Sequence, residues 1–582
     1  MNLLRELRRR RVFRVAGIYI VAAWVAIQVV SEALPALDLP AETIRYAWIG
    51  AIAGFPLAII FGWFFDLTAD GIRRTPVADG ATEADLRLRA TDYLILVALA
   101  VIGIAIAYRL GSPVTETDER STIAVLPLDN LSGDPDQAYF AAGMQDALIT
   151  ALSRIGGLQV TSRPSTRAFE GVQASAAEIG SVLGVENLIR GSVRRADGKV
   201  GIDVTLVDAE DSRKLWSETY EQDITDVRLL QNEIALAIAD QVGVELTEDE
   251  SRALETYRKV HPSSYEEYLR GMFNLELFTP DGIAQAEQHF RRAVELDPDS
   301  AIALWGISRV CRFQLQAGLL PPHEGGLRCG APLLKAMELN NAVPEVHLGI
   351  ALGYWLYDYD WPSADRAFRR AIALNPSYAE AHIFYSHFLA NQGRFEESTR
   401  AADTALALDP LNPFFRGLHG TQRALAGDRE GGIARIEASI ESFPGLGFGY
   451  DVLWWAYADL GRWDESFRAV RDHFKITVGD PAAVDVLEQS YGNGGFEHAM
   501  LETARFLAAE RETRYVPSFE IAALYDWGGD DEKAIHWLNV AYDERNPTLP
   551  YVGVTPFIKN SRDHPEFVAL LRKLNYEQWI DK

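Results

Sequence analysis

Three prolines frame most of this 582-residue chain. Pro376, Pro410 and Pro444 stand 34 residues apart and close the phrases Leu-Asn-Pro, Leu-Asp-Pro and Phe-Pro. Leu-Asp-Pro298 and Leu-Asn-Asn341 carry the punctuation backwards, at intervals of 43 and 35 residues, so an insertion lies before Asn341. A recurring interval of this size points to a stack of similar units, each burying its apolar face against its neighbours. Small and aromatic residues recur at matching offsets: Ala286, Phe290 and Ala293, then Ala364, Phe368 and Ala371, then Ser398, Ala402 and Ala405. Small side chains let paired helices approach, an aromatic fills the gap between units, and proline stops the second helix. A further unit shows at Ala534, Leu538 and Ala541, and a degenerate stretch spans 447–493. The expected total is about seven helix pairs.

The period and these offsets resemble tetratricopeptide repeats over residues 262–545. The stretch 546–582, with Pro556-Phe557 and Asp563-His564-Pro565-Glu566-Phe567, resembles the usual end of such proteins and is expected to cap the last apolar face. The resemblance implies a concave groove that binds protein or peptide partners. Trp355, Tyr357, Tyr359, Trp361, Trp454, Trp455, Tyr457 and Trp463 either line that groove or fill the spaces between repeats. Trp355, Tyr359, Trp454 and Trp455 are the candidate partner contacts. Trp454 and Trp455 are adjacent and cannot share a helix face, so at least one is expected to be exposed.

Between 121 and 245 the periodicity changes. Residues 123–128 read as a buried strand, 138–155 as an amphipathic helix, 158–162 as a strand and 174–183 as a helix. A hairpin over 188–208, a strand at 214–220 and a helix at 227–242 complete a compact α/β domain. The segment from Ile123 to Pro135, Tyr139-Phe140-Ala141, Gly143, Gly184-Val185, Gly191-Ser192-Val193-Arg194-Arg195 and Leu215-Trp216-Ser217-Glu218 together resemble the TolB-N-terminal-like domain. Bacterial membrane proteins often fuse that domain to tetratricopeptide repeats, and the resemblance implies an accessory or scaffolding role. Asn130, Ser132 and Asp134 are expected either to cap a turn or to touch a ligand. Gly191 is a place for close backbone approach. Arg194 and Arg195 face opposite sides of a strand, one toward solvent and the other toward a helix or a partner's acid.

The first 110 residues read as a membrane module with three transmembrane helices at about 13–34, 45–65 and 92–109. Arg5, Arg8, Arg9, Arg10, Arg11 and Arg14 place the N-terminus in the cytoplasm, and Arg73, Arg74, Arg87 and Arg89 return the second loop there. This reading expects a bacterial inner-membrane protein, with the bilayer as a partner and everything after residue 110 or so in the periplasm. The fold class expected is therefore multidomain: N-terminal transmembrane helices, a small α/β domain and a C-terminal all-α solenoid.

The formal charge of -26 would repel phosphates and excludes nucleic acid as a partner. There is no Walker loop, HExxH or GxSxG, so no catalytic residue, cofactor or metal ligand is expected. Cys311 and Cys329 flank the inserted loop. They are expected either to form a disulfide across it or to be two separate buried small residues. The expected function is a scaffold or adaptor binding a protein or peptide, with a homo-oligomer or an envelope complex as the assembly it would form. The alternatives are an envelope sensor taking a small molecule or glycan in the α/β domain, and a structural subunit of an envelope assembly.

Overall fold

The computed structural model describes residues 120–580, apart from 133–136, 197, 249, 252–260, 276, 278, 317–319 and 321. Before residue 120 it describes Tyr19, Ala23 and Trp24, all helical, and two short strands. Residues 1–119 and 120–582 are separate compact units. In the first unit, β1 (Phe65–Thr68) pairs antiparallel with β2 (Gly71–Arg74), Phe65 opposite Arg74.

The expected inner-membrane and periplasmic localisation is corrected. Among the described residues no helix is long and apolar enough to cross a membrane. The longest, Pro481–Glu510, carries Asp485, Glu488, Glu497, Glu502 and Arg505 and breaks at Gly495. The three expected spans lie outside the described residues, except for the three helical positions named above and Phe65, which is in a strand.

The second unit opens with the α/β domain. Its elements are β3 (Ser121–Val125), β4 (Asp129–Asn130), α1 (Ala138–Leu152), β5 (Leu158–Val160), α2 (Arg163–Arg167), α3 (Ala176–Leu183), β6 (Asn187–Ala196), β7 (Lys199–Asp208), β8 (Lys214–Asp223) and α4 (Val227–Gln241). The strand order is β5-β3-β6-β7-β8, with β4 beside β6. β3 runs parallel to β5 and β6, whereas β6, β7 and β8 form an antiparallel meander. One face packs on α1 and α4 through Ile123, Val125, Leu148, Ile189, Ile202, Val204, Leu230 and Ile234, all fully buried. The other face meets α3 through Ile179, Leu183 and Leu188. At Gly191 any Cβ would overlap the Asp203 carbonyl of the neighbouring strand, so this position tolerates only glycine.

Helical hairpins follow: α5 (Pro262–Leu275) with α6 (Pro280–Leu296), α7 (Ala301–Gln316) with α8 (Pro322–Leu339), α9 (Pro344–Gly353) with α10 (Trp361–Leu374), and α11 (Ala379–Asn391) with α12 (Phe395–Leu408). Then come α13 (Pro413–Leu425) with α14 (Arg429–Ser442), α15 (Gly447–Asp459) with α16 (Trp463–Asp472), the kinked α17 (Pro481–Glu510), and α18 (Ser518–Trp527) with α19 (Asp531–Asp543). The packing positions read from the sequence are all fully buried: Ala286, Phe290, Ala293, Ala364, Phe368, Ala371, Ser398, Ala402, Ala405, Ala534, Leu538 and Ala541. Phe290 fills the gap between repeats so closely that a methyl group on Gly271 or Gly306 would collide with its ring.

The turns inside the hairpins count the repeats. Gly393, Gly427, Gly461, Gly495 and Gly529 lie 34 residues apart, and all five have positive φ, from 73° upward. Gly495 therefore makes the kink in α17 a hairpin turn, and the described residues hold eight helix pairs instead of about seven. One period before Gly393, the left-handed residue is Tyr359, at φ 58°. It ends a wide turn over Tyr354–Asp358 that extends α9. A side chain costs about 1 kcal/mol in this conformation, so its contacts must compensate.

Cys311 of α7 and Cys329 of α8 are joined as a disulfide, with their Cα atoms 5.4 Å apart. Replacing both with alanine should lower the unfolding free energy of the non-reduced chain by about 3 kcal/mol, as expected for a loop of this length. Denaturant titration measures this, and mass spectrometry of the alkylated, non-reduced chain reports the bond.

Candidate functional site

The repeats enclose a cavity of about 2020 Å³. Its wall is built from three sources, each placed by a specific contact. The first is the α/β domain. Tyr265 and Leu269 of α5 join the core beneath α1, where a Cβ on Gly143 would strike Leu269. Beside them, Glu266 accepts hydrogen bonds from Tyr139 (2.6 Å), Arg195 (3.1 Å) and Arg270 (2.7 Å). On the far side, repeat turns replace a missing strand at the sheet edge. The Ser377 hydroxyl accepts from the Val160 amide and donates to the Leu158 carbonyl, each at 3.2 Å. Ser162 donates its amide to the Leu408 carbonyl at 2.8 Å. The Asp409 carboxylate accepts from the amide and hydroxyl of Ser165 and from Asn412. Burial pushes Asp409 up to about 6, against the pull of those hydrogen bonds.

The second source is the chain's own C-terminal segment, with α20 (Pro565–Lys573) inside it. It runs across the inner faces of several repeats. Trp355 packs on Tyr551 with ring centroids 5.8 Å apart, and Trp361 stacks on Tyr576 at 4.7 Å. Trp454 and Trp455 both meet Phe557, at 5.5 and 6.0 Å. The Tyr359 hydroxyl donates to the Asn546 carbonyl, which helps hold its left-handed backbone. Trp361, Trp527 and Trp579 donate their indole N–H groups to carbonyls of Leu574, of Pro556 and Phe557, and of Asn391. Asp526, fully buried, accepts the amides of Lys559, Asn560 and Ser561.

Trp355, Tyr359, Trp454 and Trp455 are therefore buried. The expectation that Trp454 or Trp455 would be exposed is corrected: α15 is covered on both sides, one of them by Phe557 and Trp527. The expectation that 546–582 caps only the last face also changes, because the segment reaches back as far as Trp355 and Asn391. Asn130 accepts the Ser132 amide at 3.0 Å in a local turn, and the Ser132 hydroxyl accepts the Arg195 amide. Arg194 is exposed on the solvent face, away from Arg195 and its Glu266 partner. Gly133 and Asp134 lie outside the described residues.

The third source is the wall left free by the tail. Phe443 is 40% exposed, Ile476 45%, and Phe414 and Val478 37% each, and all four line the cavity. Polar groups stand among them. Trp454 donates to the half-buried Asp451, whose carboxyl is raised by desolvation. His473 binds Glu520 at 3.1 Å; burial opposes its charge, but Glu520 and Asp451 outweigh that and raise it. On α7, Arg309 and Arg312 approach one carboxylate, Glu380, at 3.5 and 3.9 Å. Burial pulls Arg312 down and Glu380 pulls it back. Sequence reasoning missed Arg312, His387, Asp409 and Asp526, since a lone charged residue in a helical pattern reads as solvated surface.

No family model matches the chain. The protein named "Putative adenylate cyclase 3" of Rhizobium meliloti is 34% identical over 193 residues, 33% of this chain and 33% of that protein. The transcriptional regulator HilA of Salmonella typhimurium is 24% identical over 143 residues, 25% of this chain and 26% of its own. The chain thus spans about a third or less of the curated relatives it matches. Among solved structures, a thermophilic TPR protein of Thermus thermophilus covers 31% of this chain and 92% of its own, at 18% identity and TM-score 0.26. Yeast Tom70 covers 60% and 83%, at 12% identity and TM-score 0.32.

His387 ties three parts together and yields a pH prediction. A carbonyl can only accept, so Nε2 donates to Leu418 O at 2.9 Å and Nδ1 accepts from the Tyr551 hydroxyl at 3.0 Å. Burial holds this imidazole neutral, with its pKa lowered from 6.5 to about 4. Its stabilising contribution is present above pH 6.5 and is lost as pH falls through 4. The loss should reach at most on the order of 3 kcal/mol. Urea unfolding across this window should show a shallower pH slope for His387→Gln than for the natural chain.

Proposed function

We propose that this chain is a protein-interaction scaffold that takes an extended segment of a partner protein into its central cavity. The observation that carries the reading is the cavity wall left bare by the tail, with Phe414, Phe443, Ile476 and Val478 lining the same cavity as Arg309 and Arg312 of α7 and Asp451 of α15. At about 2020 Å³ the space is larger than the roughly 300–1,000 Å³ of small-molecule sites, which favours a chain segment over a metabolite. Apolar side chains held open by rigid helices supply the affinity, and the few charged groups supply orientation. The α/β domain, whose sequence resembles the TolB-N-terminal-like domain, acts in this reading as one wall and as the brace that keeps the cavity open.

The test is selection of a displayed random peptide library against the full chain. Enriched peptides should lose about tenfold or more in affinity to Phe443→Asp or Ile476→Asp, because a charge is then forced into the apolar contact. Both positions are exposed, so both variants should keep the melting temperature of the natural chain. Peptides that bind the two variants as well as the natural chain, or no enrichment at all, would remove the cavity as the binding surface.

A further inference from the structure

We infer that Arg312, with Arg309 beside it, is a receptor for a carboxylate carried by the bound segment, either at its chain end or on an Asp or Glu side chain. This deepens the cavity reading and rests on it. Arg309 and Arg312 lie three residues apart on α7 and so share one helix face, and both line the cavity. The Cys311–Cys329 bridge pins that turn of α7 to α8. Arg309 is further held with its guanidinium 5.1 Å from the Trp305 ring centre.

Among the described residues Glu380 is the one carboxylate within ion-pair distance of the Arg312 guanidinium, and Arg309 shares it. It also accepts the Tyr378 hydroxyl at 3.3 Å. Glu345 lines the same wall but makes no ion pair with either arginine. Arg312 is only 9% exposed, yet it makes no hydrogen bond to any described residue, and its approach to Glu380 is a loose 3.9 Å. A guanidinium has five N–H donors, and buried charges are ordinarily paired and hydrogen-bonded. The nearby Tyr357 hydroxyl, whose ionisation feels Arg312, is likewise buried without a partner. Arg312 is thus a buried cation with donors to spare, on the wall of a cavity. A carboxylate matches its planar fork with two parallel hydrogen bonds.

The experiment uses the full chain and the peptides enriched against it from a library with free carboxy termini. Each peptide is remade with a C-terminal amide, and again with Asp and Glu replaced by Asn and Gln. One of the two changes should weaken binding by about tenfold or more, and which one does so identifies the source of the carboxylate. Arg312→Gln should erase that difference, binding charged and neutralised peptides alike, while Arg309 keeps its pair with Glu380. The ligand-free Arg312→Gln chain should also melt higher than the natural one, because a buried charge with only a loose ion pair is gone; a purely structural arginine would give a lower melting temperature. If Arg312→Gln does not fold, Arg312→Lys keeps the charge but loses the fork, and the difference should shrink. Peptides that bind but ignore both neutralisations overturn the carboxylate site and leave the cavity reading intact. If no peptide is enriched the cavity reading falls, and sodium glutarate decides the site alone: a melting shift in the natural chain that Arg312→Gln lacks supports it, and no shift overturns it.

Discussion

The packing of residues 546–580 against the inner faces of the repeats is the contact on which the rest of this architecture depends. An ordinary solenoid holds together only through neighbouring repeats. Here Trp361 stacks on Tyr576, Trp355 meets Tyr551, and Trp454 and Trp455 meet Phe557, so distant repeats share one apolar core. Each fully buried aromatic contributes roughly 1.5–3 kcal/mol. The polar backbone of the segment is satisfied by Asp526, Arg562 and the indoles of Trp361 and Trp527, while Trp579 of the segment donates its own indole N–H back to Asn391. A segment bound this thoroughly is structure. The aromatic side chains of the inner repeat faces are therefore packed against the tail, and Trp355, Trp454 and Trp455 line the cavity together with Tyr551 and Phe557 of that tail.

The α/β domain closes the other side by a different principle. Its attachment to α5 is an extension of its own core through Tyr265 and Leu269, whereas its attachment to the later repeats is polar. The residues that do this, Ser377 and Asp409, flank Pro376 and Pro410 in the turns that end the second helix of a repeat. A punctuation signal thus doubles as a docking signal. The sheet edge at β5, which would be open to pairing with another chain, is covered in the process.

The sequence made the repeat region legible because helix packing leaves a periodic trace. Ala364, Phe368 and Ala371 could be placed in the core from spacing alone, and the strands and helices of the α/β domain followed their hydrophobic alternation. The eighth helix pair was legible as well: glycines at 393, 427, 461, 495 and 529 mark it. Proline punctuation fades after Pro444, and that made the later units look degenerate. What could not be read was any contact between residues far apart in sequence. Trp454 and Trp455 looked half-exposed because helix geometry knows nothing of Phe557. Arg312 looked like surface because its burial comes from an enclosing wall, which leaves no mark at the spacing of one helix.

Tyr359 occupies the left-handed turn position that five glycines occupy in the later hairpins, and its hydroxyl reaches the start of the tail. A tandem array normally gains and loses units by duplication and deletion, since any unit can take its neighbour's place. In this chain the hairpins between Tyr359 and Gly529 cannot be exchanged so freely. One unit more or fewer would change the superhelical advance between the two ends of the tail, and Tyr576 would no longer arrive at Trp361. The tail works as a gauge of fixed length, and repeat number in this segment becomes a set dimension of the fold, open to substitution within units but closed to change in their count.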